Sequence, residues 1–561
     1  MEYSLRRWRV VAALLLSVYL PACHAQQCNE NDNKALLEFK AGFTPQGFFN
    51  IFESWKAGTN CCQWNGVNCT SSGRVNGLLI SNPNIHGGPS PAAERNVSYN
   101  GVLGATLGDL SELRILDLSY ILFNGPMPDT FGKLKQLERL TMFYNNFSGS
   151  LSPSIGGATS LKNLDVSGAS YFLSSPGLKP GPIPPSFCQL RNLQTLRLVS
   201  FNLTGHVSPC FCNFNQLESL ELTNNRLAGG IPSCIGSGLG KLSFLGLSGN
   251  ELTGDIPSEI GNLVNLQFLD LSDNSLSGSI PPAIGNLAVV TALTLSNNRL
   301  EGKVPSEIAN CGTNSSGGFV WLEISNNRLS GSIPDIFGGG IIQTFSASRN
   351  RFTGGFPLTL AKVHSVDVSY NSLSDLEPVG TLPPAPSVEY LYMGNNAFSG
   401  AVPSWLIDLV ASANVTIFDI SVNKFTGPIP AVFLENVWNV NASYNMLTGQ
   451  LPTVSSLQSG FLGFSHNRIS GPITSAFIGS LLSTTYLLDL SFNQLSGPLP
   501  ANSGDFLRLD YLDLSDNQLT GEVPASIEKI PTLDYLDLSH NNFTGRVPSK
   551  GHSPAPAAAP V

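Results

Sequence analysis

The feature that most constrains this chain is a repeat. Between Leu263 and Pro305 it reads LVNLQFLDLSDNSLSGSIPPAIGNLAVVTALTLSNNRLEGKVP, which says the same thing twice. Leu269 and Leu293, Leu271 and Leu295, Asn274 and Asn298, Gly278 and Gly302, and Pro281 and Pro305 all stand 24 residues apart. A fixed period of this size marks a solenoid. Leu269 and Leu271 are two apart, so in a short strand both point to one face while Phe268 and Asp270 point to the other. Leu263, Leu266 and Leu276 turn inward around the rest of the coil, and Asn274 can tie down backbone at the bend. Gly278 sits where the chain turns without a Cβ clash, and Ile280-Pro281 leads into a return segment that cannot be a central strand. One such coil cannot bury its leucines alone; stacked coils bury them against each other.

A length of 561 residues would by itself suggest three or four domains. The repeat overrides that expectation, because a solenoid grows along one axis without new cores. The net charge of −9 leaves no basic footprint and argues against nucleic acid as a partner. Residues 1–25 read as a secretory signal peptide: Arg6, Arg7 and Arg9, then the apolar run Val10 to Leu20, then small residues around Cys23-His24-Ala25. That run is too short for a bilayer span, and no other stretch is long enough, so no transmembrane segment is expected in the mature chain.

The next segment, 26–73, has another texture. Ala35, Leu36, Leu37 and Phe39 predict a short amphipathic helix begun near Asp32, and CCQWNGVNC follows with three cysteines and Trp64. A solenoid needs an atypical unit over the end of its core. From Cys28 to Ile80 this block resembles the N-terminal cap of plant extracellular leucine-rich-repeat proteins. The pattern LxxLxxLxLxxNxLxGxIP, from 74 to 548, resembles their repeat class. Bend residues from Pro83, Ile121, Asn145 and Ala169 through Asn274 and Asn396 to Asn541 place about 19 coils. The resemblance implies an α/β solenoid, a superhelix with a concave parallel β-sheet, a helical disulfide-bonded cap, and a second, irregular face near G-x-I-P. Residues 549–561 form a Pro/Ala-rich tail. The second cysteine pair with which such proteins close, and the membrane span of their receptors, are not seen, so an open apolar coil end is expected.

Disulfides are the default for cysteines in a secreted chain. The cap resemblance implies Cys28–Cys61 and Cys62–Cys69. Cys188 and Cys210, like Cys212 and Cys234, stand 22 residues apart, about one coil. Adjacent parallel strands lie about 4.8 Å apart, within disulfide reach, so each pair can staple neighbouring coils. Cys311 is left over in an inserted loop, free or available for intermolecular pairing. Asn68, Asn96, Asn146, Asn202, Asn314, Asn414, Asn441 and Asn542 occupy N-x-S/T sequons and are candidates for N-glycosylation.

Nothing in the sequence predicts an enzyme, a cofactor or a metal site. GSGLGK at Gly236 to Lys241 lacks the spacing of a phosphate loop, and kinase signatures are absent. Ten acidic residues recur four positions before the bend (Asp117, Asp165, Glu221, Asp270, Glu323, Asp367, Asp419, Asp489, Asp513, Asp537) and are assigned to the repeat. Six before the bend the column is aromatic: Phe244, Phe268, Trp321, Tyr390, Phe461, Tyr511 and Tyr535, with Tyr392 beside it. Aromatics on the outward face suit a binding surface, although cross-strand stacking also favours them. The predicted ligand site comprises Phe244, Phe268, Asp270, Trp321, Glu323, Tyr390 and Tyr392, with Phe461, Tyr511 and Tyr535 as second choice. The expected function is an extracellular, non-catalytic recognition module, receptor-like or a co-receptor, that binds a peptide or protein and works with a membrane receptor kinase. The alternative is a secreted wall glycoprotein that inhibits pectin-degrading enzymes or acts as a scaffold.

Overall fold

The computed structural model describes residues 27–44, 52–80, 100–121, 124–168, 178–315, 318–335, 342–379, 381–454 and 459–546. The signal segment, the tail, Asn96 and the bend positions Pro83 and Ala169 lie outside the described residues. Among these residues no helix is long and apolar enough to cross a membrane.

The cap helix runs Glu30–Ala41, and its N-cap is Asn29, whose side chain accepts from the N–H groups of Asn31 and Asp32. Asp32, expected near the helix start, has another task. It is buried and takes Arg74 Nε at 2.9 Å, Arg74 Nη2 at 3.0 Å and the Val75 N–H at 2.8 Å. A buried carboxylate needs such partners, and here they tie the cap to the first repeat strand. Phe39, Phe43, Phe52, Trp55 and Trp64 fill the cap core, the two tryptophans stacked at 5.2 Å. Cys28–Cys61 and Cys62–Cys69 are bonded, with Cα separations of 5.4 and 5.6 Å.

The chain forms two compact units, residues 1–228 and 229–561. In the first, strand Val67–Cys69 pairs antiparallel with Val75–Leu79. From there the sheet is parallel through Ile115–Asp117, Arg139–Thr141, Asn163–Asp165, Thr195–Arg197 and Ser219–Glu221. In the second, an unbroken parallel sheet runs from Phe244–Gly246 to Tyr535–Asp537, stepping one coil at a time; Leu245, Leu269, Leu293 and Leu322 are successive partners. Leu269, Leu271, Leu293 and Leu295 have no exposed surface. Leu536, in the last described strand of this sheet, is 40% exposed.

The bend asparagines do more than hold their own turn. Asn298 Nδ2 donates to Leu295 O and Ser296 O of its own coil and, at 2.9 Å, to Leu271 O of the preceding one. Its Oδ1 accepts the Leu276 N–H of that preceding coil at 2.9 Å. Asn274, Asn327, Asn423, Asn467 and Asn517 repeat the arrangement. Each supplies buried groups between coils with the partners they need.

The face expected to be irregular carries order of its own. Short parallel ladders follow the bend, such as Thr253–Asp255 with Ser275–Ser277 and Ser496–Pro498 with Gln518–Thr520. Pairing stops near the proline, which has no N–H to give. Single-turn segments such as Pro282–Asn286, or helices such as Ser404–Ser412, complete the return. Gly278 sits at φ +69°, where an added Cβ would come to 2.5 Å from Asp255 Oδ1, so the turn requires glycine.

Two cysteine expectations change. Cys188 and Cys210 are bonded, Cα atoms 5.5 Å apart, but the bond joins the turns Pro185–Gln189 and Pro209–Asn213 rather than adjacent strands. Cys212 and Cys234 are also disulfide-bonded. Cys311 is a free thiol, yet it is buried rather than displayed on a loop: Sγ donates to Ile284 O at 3.3 Å, and burial pushes the thiol up to about 12. At neutral pH it stays protonated and poorly nucleophilic.

Candidate functional site: the outward face of the parallel sheet

On the strand face turned away from the leucines, register lines side chains into columns. Phe244, Phe268, Ala292, Trp321 and Thr344 are successive neighbours in one of them. Phe244 and Phe268 stack with ring centroids 4.7 Å apart and planes 3° apart. Trp321 is 44% exposed. Between Phe268 and Trp321 stands only the methyl of Ala292, so the two rings belong to strands roughly 10 Å apart. The short alanine side chain leaves a slot in the column between the positions of the two rings.

Two residues along, Asp270, Thr294 and Glu323 are the corresponding neighbours. Asp270 Oδ1 accepts from the Ser272 N–H at 3.0 Å, Ser272 Oγ at 2.6 Å and Thr294 Oγ1 at 2.7 Å. Glu323 Oε2 accepts from Ser296 Oγ at 3.5 Å. The two carboxylates thus reach the strand that carries Ala292 from either side. Rings that can face a cation, with carboxylates beside them, suit a lysine or arginine side chain.

Tyr390 and Tyr392 lie elsewhere. Tyr390 packs edge-on against His364, with centroids 5.3 Å apart. Tyr392 helps line an open basin of about 570 Å³, together with Asp367, Asp419, Asn441, Tyr444, Phe461 and Asp489. Gly394 and Gly463 also line it. A Cβ at Gly463 would come to 3.1 Å from Phe461 Cε1, Asn441 Oδ1 and Ser443 Oγ, so the glycine leaves the room that these groups use. The structure therefore divides the predicted residues between a slot (Phe268, Asp270, Trp321, Glu323) and a basin (Tyr392). Phe244 is committed to its stack, and Tyr511 and Tyr535 stack on each other at 4.3 Å.

Most acids of the repeating column have a structural task. Asp117, Asp367, Asp489, Asp513 and Asp537 each accept the N–H of the serine two residues on. The one group of three potential metal ligands among the described residues, Cys28, Cys61 and Cys62, has its sulfurs committed to disulfides.

The model of the leucine-rich-repeat N-terminal domain matches residues 29–70. Leucine-rich-repeat models match 216–237, 241–263, 265–287, 290–311, 319–339 and 483–543. This is a leucine-rich-repeat protein. Among curated relatives of the leucine-rich-repeat chain, phytosulfokine receptor 2 of Arabidopsis thaliana is 35% identical over 113 residues, 20% of this chain and 9% of that protein. Receptor-like protein 13 of the same plant is 33% identical over 164 residues, 28% and 14% of the respective chains. A polygalacturonase inhibitor of Pyrus communis is 31% identical over 118 residues, 21% and 30%. The matched segments thus span less than a third of these relatives.

Solved structures match much more of the chain. The PEPR1–AtPEP1 complex aligns at 25% identity and a TM-score of 0.64, covering 93% of this chain and 80% of that one. The plant peptide hormone receptor RGFR1 in complex with RGF2 aligns at 28% and 0.66, covering 86% and 84%. The Arabidopsis receptor kinase HAESA, in complex with the peptide hormone IDA and the co-receptor SERK1, aligns at 26% and 0.61, covering 93% and 95%.

Reading the leucine-rich repeats as sequence missed Ala292 and Thr294, which make the slot, and Gly463, which opens the basin. It also missed the column one before the bend, where every residue from Arg349 to His540 has positive φ and which carries Tyr370, Val422, Tyr444, His466 and Phe492. The signal was available: bulky and β-branched residues are poorly suited to that conformation.

Proposed function

We propose that this protein is an extracellular, non-catalytic recognition module that binds a peptide on the outward face of its second unit. A basic side chain of the ligand sits in the slot between Phe268 and Trp321, beside Asp270 and Glu323. The observation that carries this reading is the slot itself: two rings from strands separated by one other, a methyl between them, and a carboxylate on each flank. The bonded cysteines support an oxidising compartment. The HAESA neighbour, which holds the peptide hormone IDA, and the peptide hormone receptor RGFR1 support the ligand class, and the co-receptor in the HAESA complex supports a membrane receptor kinase as partner.

The test is a random-peptide display selection against the secreted chain, repeated against a Phe268→Ala/Trp321→Ala variant with an unchanged melting curve. Peptides recovered by the parent should be rich in lysine or arginine and should not bind the variant. Recovery of the same peptides by both would place the site elsewhere. The pear inhibitor relationship favours one other reading, a wall-associated enzyme inhibitor. In that case inhibition of a fungal polygalacturonase, unaffected by the double substitution, would be the result.

A further inference from the structure

Seven of the eight sequons lie within the described residues, and one of their asparagines, Asn441, stands among the residues lining the basin of the second unit. Asn68 is in the cap strand, Asn146 and Asn542 are in return ladders, Asn314 and Asn414 are in connections, and Asn202 donates its Nδ2 to Leu178 O. Asn441 is different. It closes strand Asn439–Asn441 and lines the basin of the second unit. We propose that Asn441 carries an N-linked glycan whose first sugars occupy this basin, so that the glycan covers the outward face around strands Ile417–Asp419 to Leu487–Asp489.

The local geometry favours it. Asn441 stands in the column where the preceding coil has Asp419 and the coil two further on has Asp489. There Oδ1 accepts the N–H of the serine two residues on, at 2.8 Å from Ser421 and 3.0 Å from Ser491. Asn441 Oδ1 takes the same bond from Ser443 at 3.2 Å. The remaining atom, Oδ2 in the aspartates, is here Nδ2, and it has no hydrogen-bond partner among the described residues. Ser443 is also the hydroxyl residue of the sequon Asn441-Ala442-Ser443. The fold therefore holds the acceptor nitrogen unspent without relying on it for its own stability.

The surroundings suit a sugar. The next coil places Gly463 in the same column, leaving the floor beside Asn441 without a side chain. Tyr392, Tyr444 and Phe461 border the basin and give ring surface to the apolar face of a pyranose. Asp419, Ser465 and Asp489 provide hydrogen-bonding groups for its hydroxyls. At about 570 Å³ the space is in the range that accepts a group of small-molecule size.

Transfer would occur on the newly made chain, before the coils stack. The co-reactant is an oligosaccharide linked through diphosphate to a lipid. Nδ2 of Asn441 attacks C1 of the first sugar and the C1–O bond to the diphosphate breaks. Nδ2 gives up one proton, and the lipid diphosphate leaves with the bonding pair. The slot at Phe268 and Trp321 stays clear, so this inference goes beyond the peptide reading and does not depend on it.

The experiment is glycopeptide mass spectrometry on the full chain secreted from a plant host. Enzymatic release of the glycans in heavy-oxygen water marks each modified asparagine as labelled aspartate. Label at residue 441 in the majority of molecules is expected; an unlabelled, unmodified Asn441 in folded, secreted protein overturns the proposal. Asn441→Asp supplies the residue that this column carries at Asp419 and Asp489, so it should fold and be secreted with the parent's melting curve. It should lose one glycan and exchange amide hydrogens faster around Phe461–Gly463. An equal exchange rate there would show that the glycan does not lie in the basin. Chitobiose binding by Asn441→Asp, alongside a bare Asn441 in the parent, would assign the basin to a free sugar and likewise overturn it. Peptide selection at the slot reads a separate surface, so either result leaves the other interpretable.

Discussion

Coils around Asn274 to Asn327 and coils around Asn423 to Asn493 have the same backbone and opposite solutions to one problem. In both, the residue before the bend asparagine is left-handed: Asp273, Asn297 and Asn326 at φ 51–55°, Val422, Tyr444, His466 and Phe492 at φ 52–57°. In both, its N–H bonds the next coil, as Asp273 does to Ser296 O at 2.9 Å and Tyr444 to Ser465 O at 2.9 Å. Aspartate and asparagine tolerate this conformation; valine and the aromatics do so at a cost. The first region adds a polar side-chain ladder, with Asn297 Nδ2 donating to Asp273 Oδ1 at 2.8 Å and Asn326 Nδ2 to Asn297 Oδ1 at 2.7 Å. The second stacks rings instead, Tyr444 on His466 at 4.0 Å and His466 on Phe492 at 4.1 Å. Main-chain pairing between coils dictates the bend; the side chains then find whichever ladder their chemistry allows. Strain of this kind concentrates where a surface has a use, and the aromatic ladder borders the basin through Tyr444.

The comparison breaks first at the asparagines it treats as equivalent. Asn298→Ala and Asn467→Ala each orphan buried carbonyls and one N–H, so each should lose about 3 kcal/mol of stability in urea titration, at the upper end for an unmet buried group. A silent variant in either region would mean that its coils stack without the ladder.

Next comes binding. Trp321→Ala should weaken a slot-selected peptide by about 2 kcal/mol, in the hot-spot range. Phe461→Ala, in the other region, should leave its affinity unchanged, measured by calorimetry. Asp270→Asn should lose less and flatten the salt dependence, because a removed charge no longer attracts a cation through solvent.

The left-handed column sharpens the contrast at smaller scale. Val422→Asn should raise stability by about 1 kcal/mol and Asn297→Val should lower it by a similar amount, both read from urea midpoints. Equal and negligible effects would show that the bend does not discriminate.

The smallest effect is a pH dependence. Burial, with the nearby Asp489 and Asp537, raises the Asp513 carboxyl above its ordinary range, although bonds from Ser515 pull the other way. A raised acid destabilises the folded state once ionised. The stability it permits is therefore complete below the unfolded carboxyl value of about 3.9 and declines as pH rises through the folded value. Asp513→Asn, which can keep the Ser515 bond as Asn441 keeps that of Ser443, should raise the melting temperature at pH 7 and leave it unchanged at pH 3.

Several features were legible because they are local. The two-residue spacing of Leu269 and Leu271 sets which face each takes, and the period places their successors in stacked coils with no exposed surface. Phe268 and Asp270 point outward for the same reason. Asn274 announced a bend by its chemistry, and the cap announced itself by its cysteines and tryptophans. What one coil presents to the next could not be read this way. Ala292, six before Asn298, shares the column of Phe268 and Trp321 by its spacing, but that its methyl leaves a gap between two rings is a property of the paired strands. Stacking also moved the Cys188–Cys210 bond onto the turns, buried Cys311 against Ile284 O, and gave Asp32, near the helix start, to Arg74. Asn441 was one sequon among eight in the sequence. Only the stacked sheet, by setting Gly463 beside it in the next coil, gave it an open basin to face.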